Sequence, residues 1–404
     1  MNTSVLTSIR LRHGEPGVGA ILEGWGVPEP HGVWSIGKTS QLRIGWLDPG
    51  HEHIVELSAH PFINRPFVRV QTIRAEIGGT VIGEVNIGAP EFVGFRIPPQ
   101  LINEAEPVVM TLRHPRAARP CDTLVTGDDR WLGVSYDRMR VFRLPRAPIR
   151  PESAESYAPF GPSPPGAPSG TGAEPDAALA QAIEEKLGVS LRQLVLNFVS
   201  LGDNCEFGLV QRHCGAEPLD LLRFAATKLR WLMHGLDDDF DRLGTPETIE
   251  PELHGDRTPR EYMIRERTHE LVYHTFRYED EIAADALRLQ EAKKLRFLRR
   301  KFLADLQEGG KILVCKRQPA LHEGLILPLL AAVGCRGPNT VLWVAEADAT
   351  HPPASVEVLT SRLMKGYMDR FAPGENAHDL SLDCWLRLCA NAYAAWPERS
   401  SAEN

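Results

Sequence analysis

The chain has 404 residues, a formal net charge of -8, 43% hydrophobic and 24% charged residues. At ~100 to 200 residues per domain this length predicts two domains, and the acidic balance excludes the concentrated basic surface that a nucleic-acid partner or a polybasic membrane anchor needs. No apolar run approaches the ~20 residues that span a bilayer, and the opening MNTSVLTSIRLRHGEPG has no apolar stretch of signal-peptide length, so the sequence reads as cytoplasmic.

Residues 1–145 are charge-balanced, with fifteen Lys/Arg against fifteen Asp/Glu. Short β-rich runs are predicted at Leu42 to Leu47, His53 to Ser58, Phe67 to Ile77, Thr80 to Asn86, Phe92 to Ile97, Val108 to Arg113 and Met139 to Leu144. Gly, Pro, Asp and Asn separate them at sandwich spacing, and Gly78-Gly79 signals a hairpin. Within Phe67 to Ile77 the apolar phase changes, which predicts a bulge near Gln71-Thr72. The expected fold is an all-β, jelly-roll-like sandwich.

Proline makes up about 8% of the chain, against a usual ~5%, and nine of the 32 prolines lie between Pro145 and Pro175. Residues 146–190 therefore read as a Pro/Gly/Ser-rich linker and lead-in, biased towards extended polyproline II. Residues 191–404 read as an α/β domain of three layers around a largely parallel sheet. Strands are predicted at Leu194 to Ser200, Lys311 to Lys316 and Thr340 to Ala345, and helices at Ala283 to Leu306 and Leu380 to Ala395.

In FVSLGDNCEFGLVQ a strand runs into Gly202, the polar pair Asp203-Asn204, and Cys205 opening a helix. A thiol at a helix N-terminus sits at the positive end of the macrodipole, where its pKa falls and backbone N–H groups offer an oxyanion hole. The competing reading makes Cys205 a small buried hydrophobe beside a helix cap. A thiol catalyst needs a base, and two histidines qualify: His274 in YHTFRYED, near the end of a strand from Leu271, and His351, which Asp348 precedes in a D-x-x-H spacing. The seven cysteines have no paired spacing and read as reduced thiols, and neither a metal nor a cofactor is predicted. The basic run Lys293, Lys294, Arg296, Arg299, Arg300 and Lys301 reads as the solvated face of an amphipathic helix.

The segment SLGDNCEFGLVQRHCGAEPLDLLRFA, with the later HTF, LRFLRRKF and KILVCKR, resembles a bacterial family described as papain-like cysteine peptidases. Ser200, Leu201, Gly202 and Cys205 match its S-L-G-x-x-C pattern; Pro218, Leu219, Asp220 and Leu222 match its P-[FL]-D-[WL]-L pattern, with Leu221 in place of an aromatic. The resemblance implies hydrolysis or acyl transfer at Cys205. GWGVPEPHGVW and WLGVSYDRMRVFRL in the first half resemble sandwich modules of envelope-polysaccharide enzymes, which implies a glycan ligand and a place in bacterial surface-glycan metabolism. Trp25 and Trp34 would then stack on sugar faces; the alternative is that they plug the sandwich. A reading from another class makes the α/β domain glycosyltransferase-like or purely glycan-binding, with a structural Cys205 and with Asp203, Asn204, Arg212 and Arg223 holding sugar or phosphate at the strand ends.

Overall fold

Alternation of apolar and polar residues builds the first half. In VVMTLR, Val108, Met110 and Leu112 are buried while their neighbours are partly or fully exposed, the period of a strand covered on one face. Nine strands follow this logic: β1 (Ser4–Arg10), β2 (Val33–Ile36), β3 (Thr39–Gly45), β4 (His53–Pro61), β5 (Gln71–Ile77), β6 (Thr80–Ile87), β7 (Glu91–Ile97), β8 (Val108–Arg113) and β9 (Leu132–Arg143). They form two antiparallel sheets, β1-β9-β4-β7 with β2 on β9, and β3-β8-β5-β6. Leu42, Leu57, Ile73, Val85, Phe95, Met110, Tyr136 and Val141 share one buried cluster between the sheets. At the β5–β6 hairpin Gly78 and Gly79 both have positive φ (55° and 84°), as a tight primed turn requires.

The bulge expected at Gln71-Thr72 is not there. Strand β5 begins at Gln71, Phe67 is 70% exposed, and Val68 pairs with Asn64 in a separate bridge, so the change of apolar phase marks the end of a loop. The register shift of this strand lies between Ala75 and Glu76.

The computed structural model describes residues 3–145, 158–162, 174–256, 258–318, 320–374 and 376–396. The chain forms two compact units: Met1–Arg146 with His322–Cys335, and Ala147–Leu321 with Arg336–Asn404. The helix Glu323–Arg336, which the sequence reading gave to the α/β half, thus falls almost wholly in the first unit. Gly94 on β7 explains how it fits there. A Cβ at Gly94 would stand 2.7 Å from Pro328 Cδ and 3.0 Å from Leu327 Cβ, so only glycine admits the helix this closely.

The second unit contains α1 (Ala177–Leu187), α2 (Leu191–Val195), β10 (Phe198–Ser200), α3 (Glu206–His213), α4 (Leu229–Asp237), β11 (Ile249–His254), β12 (Glu261–Glu266), β13 (Leu271–Tyr278), α5 (Ala284–Glu308) and β14 (Ile312–Lys316). After the inserted helix, α6, it continues with β15 (Thr340–Glu346), β16 (Val356–Thr360), β17 (Leu363–Met368) and α7 (Leu382–Ala395). Its main sheet is mixed, in the order β10-β14-β15-β17-β16, parallel except for the β16–β17 pair. Strands β11, β12 and β13 form a separate antiparallel sheet that the sequence reading did not foresee. The strand expected from Leu194 is shorter than predicted. Ser190 and Gln193 form a reciprocal capping box that starts a helical turn through Val195, and the strand begins only at Phe198.

Most of the proline-rich stretch expected as a linker lies outside the described residues. Its described island, 158–162, exposes Pro159 and Pro162 but anchors one side chain. Phe160 is buried in the core of the second unit, its N–H donates to Asn391 Oδ1 (3.1 Å) and its carbonyl accepts from Arg387 (2.6 Å).

Candidate functional site: Cys205 and the β13 bulge

The loop between β10 and α3 is built on glycine and on buried charge. Gly202 has φ 71°, a left-handed conformation that favours glycine, and lies against Leu222 and Ala225. Arg317 donates to the carbonyls of Gly202 and Leu201, the latter at 2.8 Å. Beneath the loop Glu206, fully buried, accepts from Trp385 Nε1 (2.8 Å) and pairs with Lys316 Nζ (2.7 Å), which also pairs with Asp203 (3.2 Å). Arg317 also approaches the partly exposed Asp203 (3.7 Å), so two carboxylates meet two cations, and Lys316 compensates the desolvation of Glu206. The cavity lined by Ser200, Gly202, Asp203, Asn204, Phe207, Val314 and Lys316 measures about 10 Å³, room for a single water. Asn204 Oδ1 accepts the Glu206 N–H at 3.0 Å, so Asn204 caps the helix that follows Cys205.

Cys205 is half-buried and its thiol faces the carbonyl of Phe224, Sγ to O 3.6 Å. Burial raises the thiol pKa above its ordinary value; the positive charge of Arg212 opposes this and the carboxylate of Glu261 adds to it. The direction is opposite to the fall expected of a thiol at a helix N-terminus, and burial is its largest cause.

Phe224 connects this thiol to the second sheet. Ala226 pairs with Val272 on β13 through two backbone hydrogen bonds (2.8 and 3.0 Å), antiparallel. Phe224 lies two residues before this bridge on one segment and His274 two residues after it on the other. His274 Nδ1 lies 3.2 and 3.3 Å from the two carboxylate oxygens of Glu261 on β12. That contact turns Nε2 into the nitrogen available for proton transfer. The β12–β13 register runs from Met263↔His274 to Glu261↔Tyr278, two steps on one strand against four on the other. The extra residues form a bulge. Phe276 at its crest has φ 54°, its N–H donates to Glu261 Oε1 (2.9 Å), and its ring lies 6.0 Å from that of His274 at 24°. His254 meets His274 edge-on at 5.9 Å. Among the described residues no hydrogen bond joins Cys205 directly to His274.

The other candidate base has different company. His351 Nδ1 bonds Asp348 (2.9 Å) and its ring stacks on Tyr367 (4.3 Å, 5°). Its Nε2 faces Glu357 at 3.7 Å, and Glu357 also accepts the Tyr367 hydroxyl (2.6 Å). Among the described residues no hydrogen bond or ring contact joins His351 to Cys205.

Of the residues read as ligand-binding, Asp203 serves the buried ion cluster. Arg223 is buried and spends its guanidinium on the carbonyls of Ala216 (2.8 Å) and Gly208 (3.1 Å) and on Glu217. Arg212 also pairs with Glu217 (2.8 Å) and lies 4.9 Å over the Phe224 ring, leaving it half-exposed at the rim of the site. Asp220 of the PLDLL motif is buried, with a carboxyl pKa that burial raises and Lys301 opposes. In the basic run Lys293, Lys294, Arg296 and Arg300 are exposed, as a solvated face requires, while the partly exposed Lys301 pairs with Asp220 and Arg299 donates to the Asp239 carbonyl (2.7 Å). Trp25 and Trp34 are half-buried; Trp25 donates to the Gln41 carbonyl (2.7 Å) and meets Tyr136 edge-on (5.6 Å), which places it in the sandwich packing. The exposed tryptophans of this unit are Trp46, at 65%, and Trp131, which Lys38 and Arg119 approach over the ring. Among the described residues no group of three His, Cys, Asp or Glu is placed to hold a metal ion, and no helix is long and apolar enough to cross a membrane.

No family model and no curated protein matches the chain, so the papain-like reading of the second half rests on its residues alone. The N-terminal region is similar to carbohydrate-binding modules of known structure. A CBM36 domain of a multidomain xylanase from the hindgut metagenome of Trinervitermes trinervoides is 12% identical, over 35% of this chain and 96% of that one, with a TM-score of 0.19. The C-terminal CBM6 of LamC from Zobellia galactanivorans is 14% identical, over 35% and 98%, with a TM-score of 0.19. The CBM22-1-GH10 modules of Xyn10B from Clostridium thermocellum are 10% identical, over 38% and 27%, with a TM-score of 0.21.

Proposed function

We propose that the second unit is a cysteine-dependent hydrolase or acyl transferase, with Cys205 as nucleophile, His274 as base and Glu261 as the group that orients the base. One observation carries this reading: the Glu261 carboxylate that holds His274 Nδ1 also acts on the Cys205 thiol, which faces the Phe224 carbonyl two residues before the bridge to β13. Sγ would bond to the carbonyl carbon of an acyl donor as its proton passes to His274 Nε2. The leaving group departs with that proton, and water or another acceptor then cleaves the thioester with His274 again as base. Because burial keeps the resting thiol protonated, the proton moves during attack and no thiolate waits at rest. Glu261 stabilises the imidazolium that forms. The Glu206 N–H is committed to Asn204, which leaves the Asn204 and Cys205 N–H groups of this turn for the oxyanion.

The test is acylation by p-nitrophenyl acetate, followed by peptide mass spectrometry. An acetyl thioester on Cys205 is expected, with its formation slowed about 100-fold or more by His274→Ala. Acetylation spread over the exposed nucleophiles, or unchanged in His274→Ala, overturns the reading, and loss in His351→Ala instead would move the base to the Asp348–His351 pair. The glycosyltransferase-like alternative has less support, because Asp203 is engaged in the ion cluster and Arg223 in holding the segment that follows α3.

A second reading concerns the first unit, whose sandwich we take as jelly-roll-like and glycan-binding. It is favoured by the exposure of two large aromatic rings, Trp46 and Trp131. Affinity electrophoresis of the full chain in soluble polysaccharides should show retardation that Trp46→Ala or Trp131→Ala removes; retardation absent in the native chain ends this reading.

A further inference from the structure

Phe276 sits where a large apolar residue is least expected. Its φ of 54° is a region that glycine or asparagine enters readily and an aromatic residue rarely does, and its side chain is 60% exposed. The surroundings fix this conformation. Glu261 holds the Phe276 N–H, the Thr275 hydroxyl bonds the Tyr262 carbonyl, and the Arg277 N–H returns to Thr275 Oγ1 (3.1 Å). A glycine at the crest would let His274 and Glu261 meet equally well, so the ring itself needs a separate explanation. It stands beside the His274 ring, on the strand that Ala226 bridges at Val272. The nearest carboxylate, Glu261, is committed to His274 and to the bulge, and its charge disfavours an anionic ligand.

We propose that Phe276 is a specificity-determining residue, the apolar wall of a subsite for an uncharged acyl group with an aromatic or bulky aliphatic side chain, carried by the donor that Cys205 attacks. This inference rests on the Cys205–His274 reading. Closing such a group over the exposed ring removes apolar surface from water only for donors that carry it, and so discriminates between acyl groups.

The experiment compares acylation of Cys205 by p-nitrophenyl acetate and p-nitrophenyl phenylacetate in the full chain, each rate divided by that of free N-acetylcysteine with the same ester. The native protein should favour phenylacetyl about tenfold or more. Phe276→Gly, which accepts the same backbone conformation, should bring the ratio to within about twofold of unity, and Phe276→Leu should keep part of it. An unchanged ratio in Phe276→Gly, or an equal fall with both esters, overturns the subsite while leaving Cys205 and His274 in their roles. Absence of acylation at Cys205 with either ester overturns the catalytic reading, and the subsite with it.

Discussion

Glu261 holds Phe276 by its amide, Oε1 to N 2.9 Å, with the same carboxylate that faces His274 Nδ1 at 3.2 Å. One side chain therefore sets both the tilt of the imidazole and the shape of the bulge beside it. Glu261→Gln keeps the size and one acceptor but loses the charge opposite the imidazolium. We expect it to slow Cys205 acylation about tenfold or more through kcat, with KM little changed, and Glu261→Asp to recover part of the loss. An effect confined to KM would assign Glu261 to substrate binding instead.

The raised thiol pKa of Cys205 gives a pH signature. A thiol whose pKa lies above its ordinary value carries less thiolate at neutrality than free cysteine does. Alkylation of Cys205 by iodoacetamide should therefore be slower than that of N-acetylcysteine at pH 7 and should still be rising at pH 9. Labelling that is already level between pH 6 and 8 would show a preformed thiolate and contradict the burial argument.

The ion cluster under the loop is expected to matter for stability more than for chemistry. Lys316→Met leaves the fully buried Glu206 without its cation, and urea denaturation should show a loss of about 3 to 5 kcal/mol. The double variant Lys316→Met with Glu206→Gln should lose less than the sum of the two single changes, since each removes the other's uncompensated charge.

In the first unit His114 is fully buried beside Ser40 (Nε2 to Oγ 3.2 Å), and burial pushes its pKa down to about 4. The unfolded chain takes up a proton near pH 6.5 that the folded chain refuses, so this group costs no stability above pH 6.5 and progressively more as the pH falls towards 4. Between pH 7 and pH 5 the contribution amounts to about 2 kcal/mol. His114→Leu should flatten that part of the stability profile, as measured by denaturant titration at both pH values.

What the sequence disclosed follows the range of the forces involved. Helix α5 was legible because Leu295, Leu298, Phe302 and Leu306 repeat on one buried face, and β14 and β15 because they are short continuous apolar runs. Strand β1 escaped notice because its buried-face pattern is weak, with Val5 and Leu6 exposed. Within the site, Cys205 and His274 could be named from motif and context. Glu261 and Phe224 could not, since the role of Glu261 arises from the register and bulge of the β12–β13 pair and Phe224 is brought to the site beside the long-range Ala226–Val272 bridge. The sequence points to Trp25 and Trp34 while the fold exposes Trp46 and Trp131, since composition cannot say which indole the packing leaves exposed.

The placement of α6 makes the first unit discontinuous in sequence: the chain passes between units at 146/147, again at 321/322 and again at 335/336. A protease that cuts only within the proline-rich stretch would therefore nick the protein without releasing a sandwich fragment, because two further covalent connections remain. Residues 1–145 made alone would lack the helix that Gly94 is shaped to receive. A split reporter or a circular permutant that opens the chain at the prolines would keep both units intact, whereas one that opens it at 321/322 would separate α6 from the strand that leads into it.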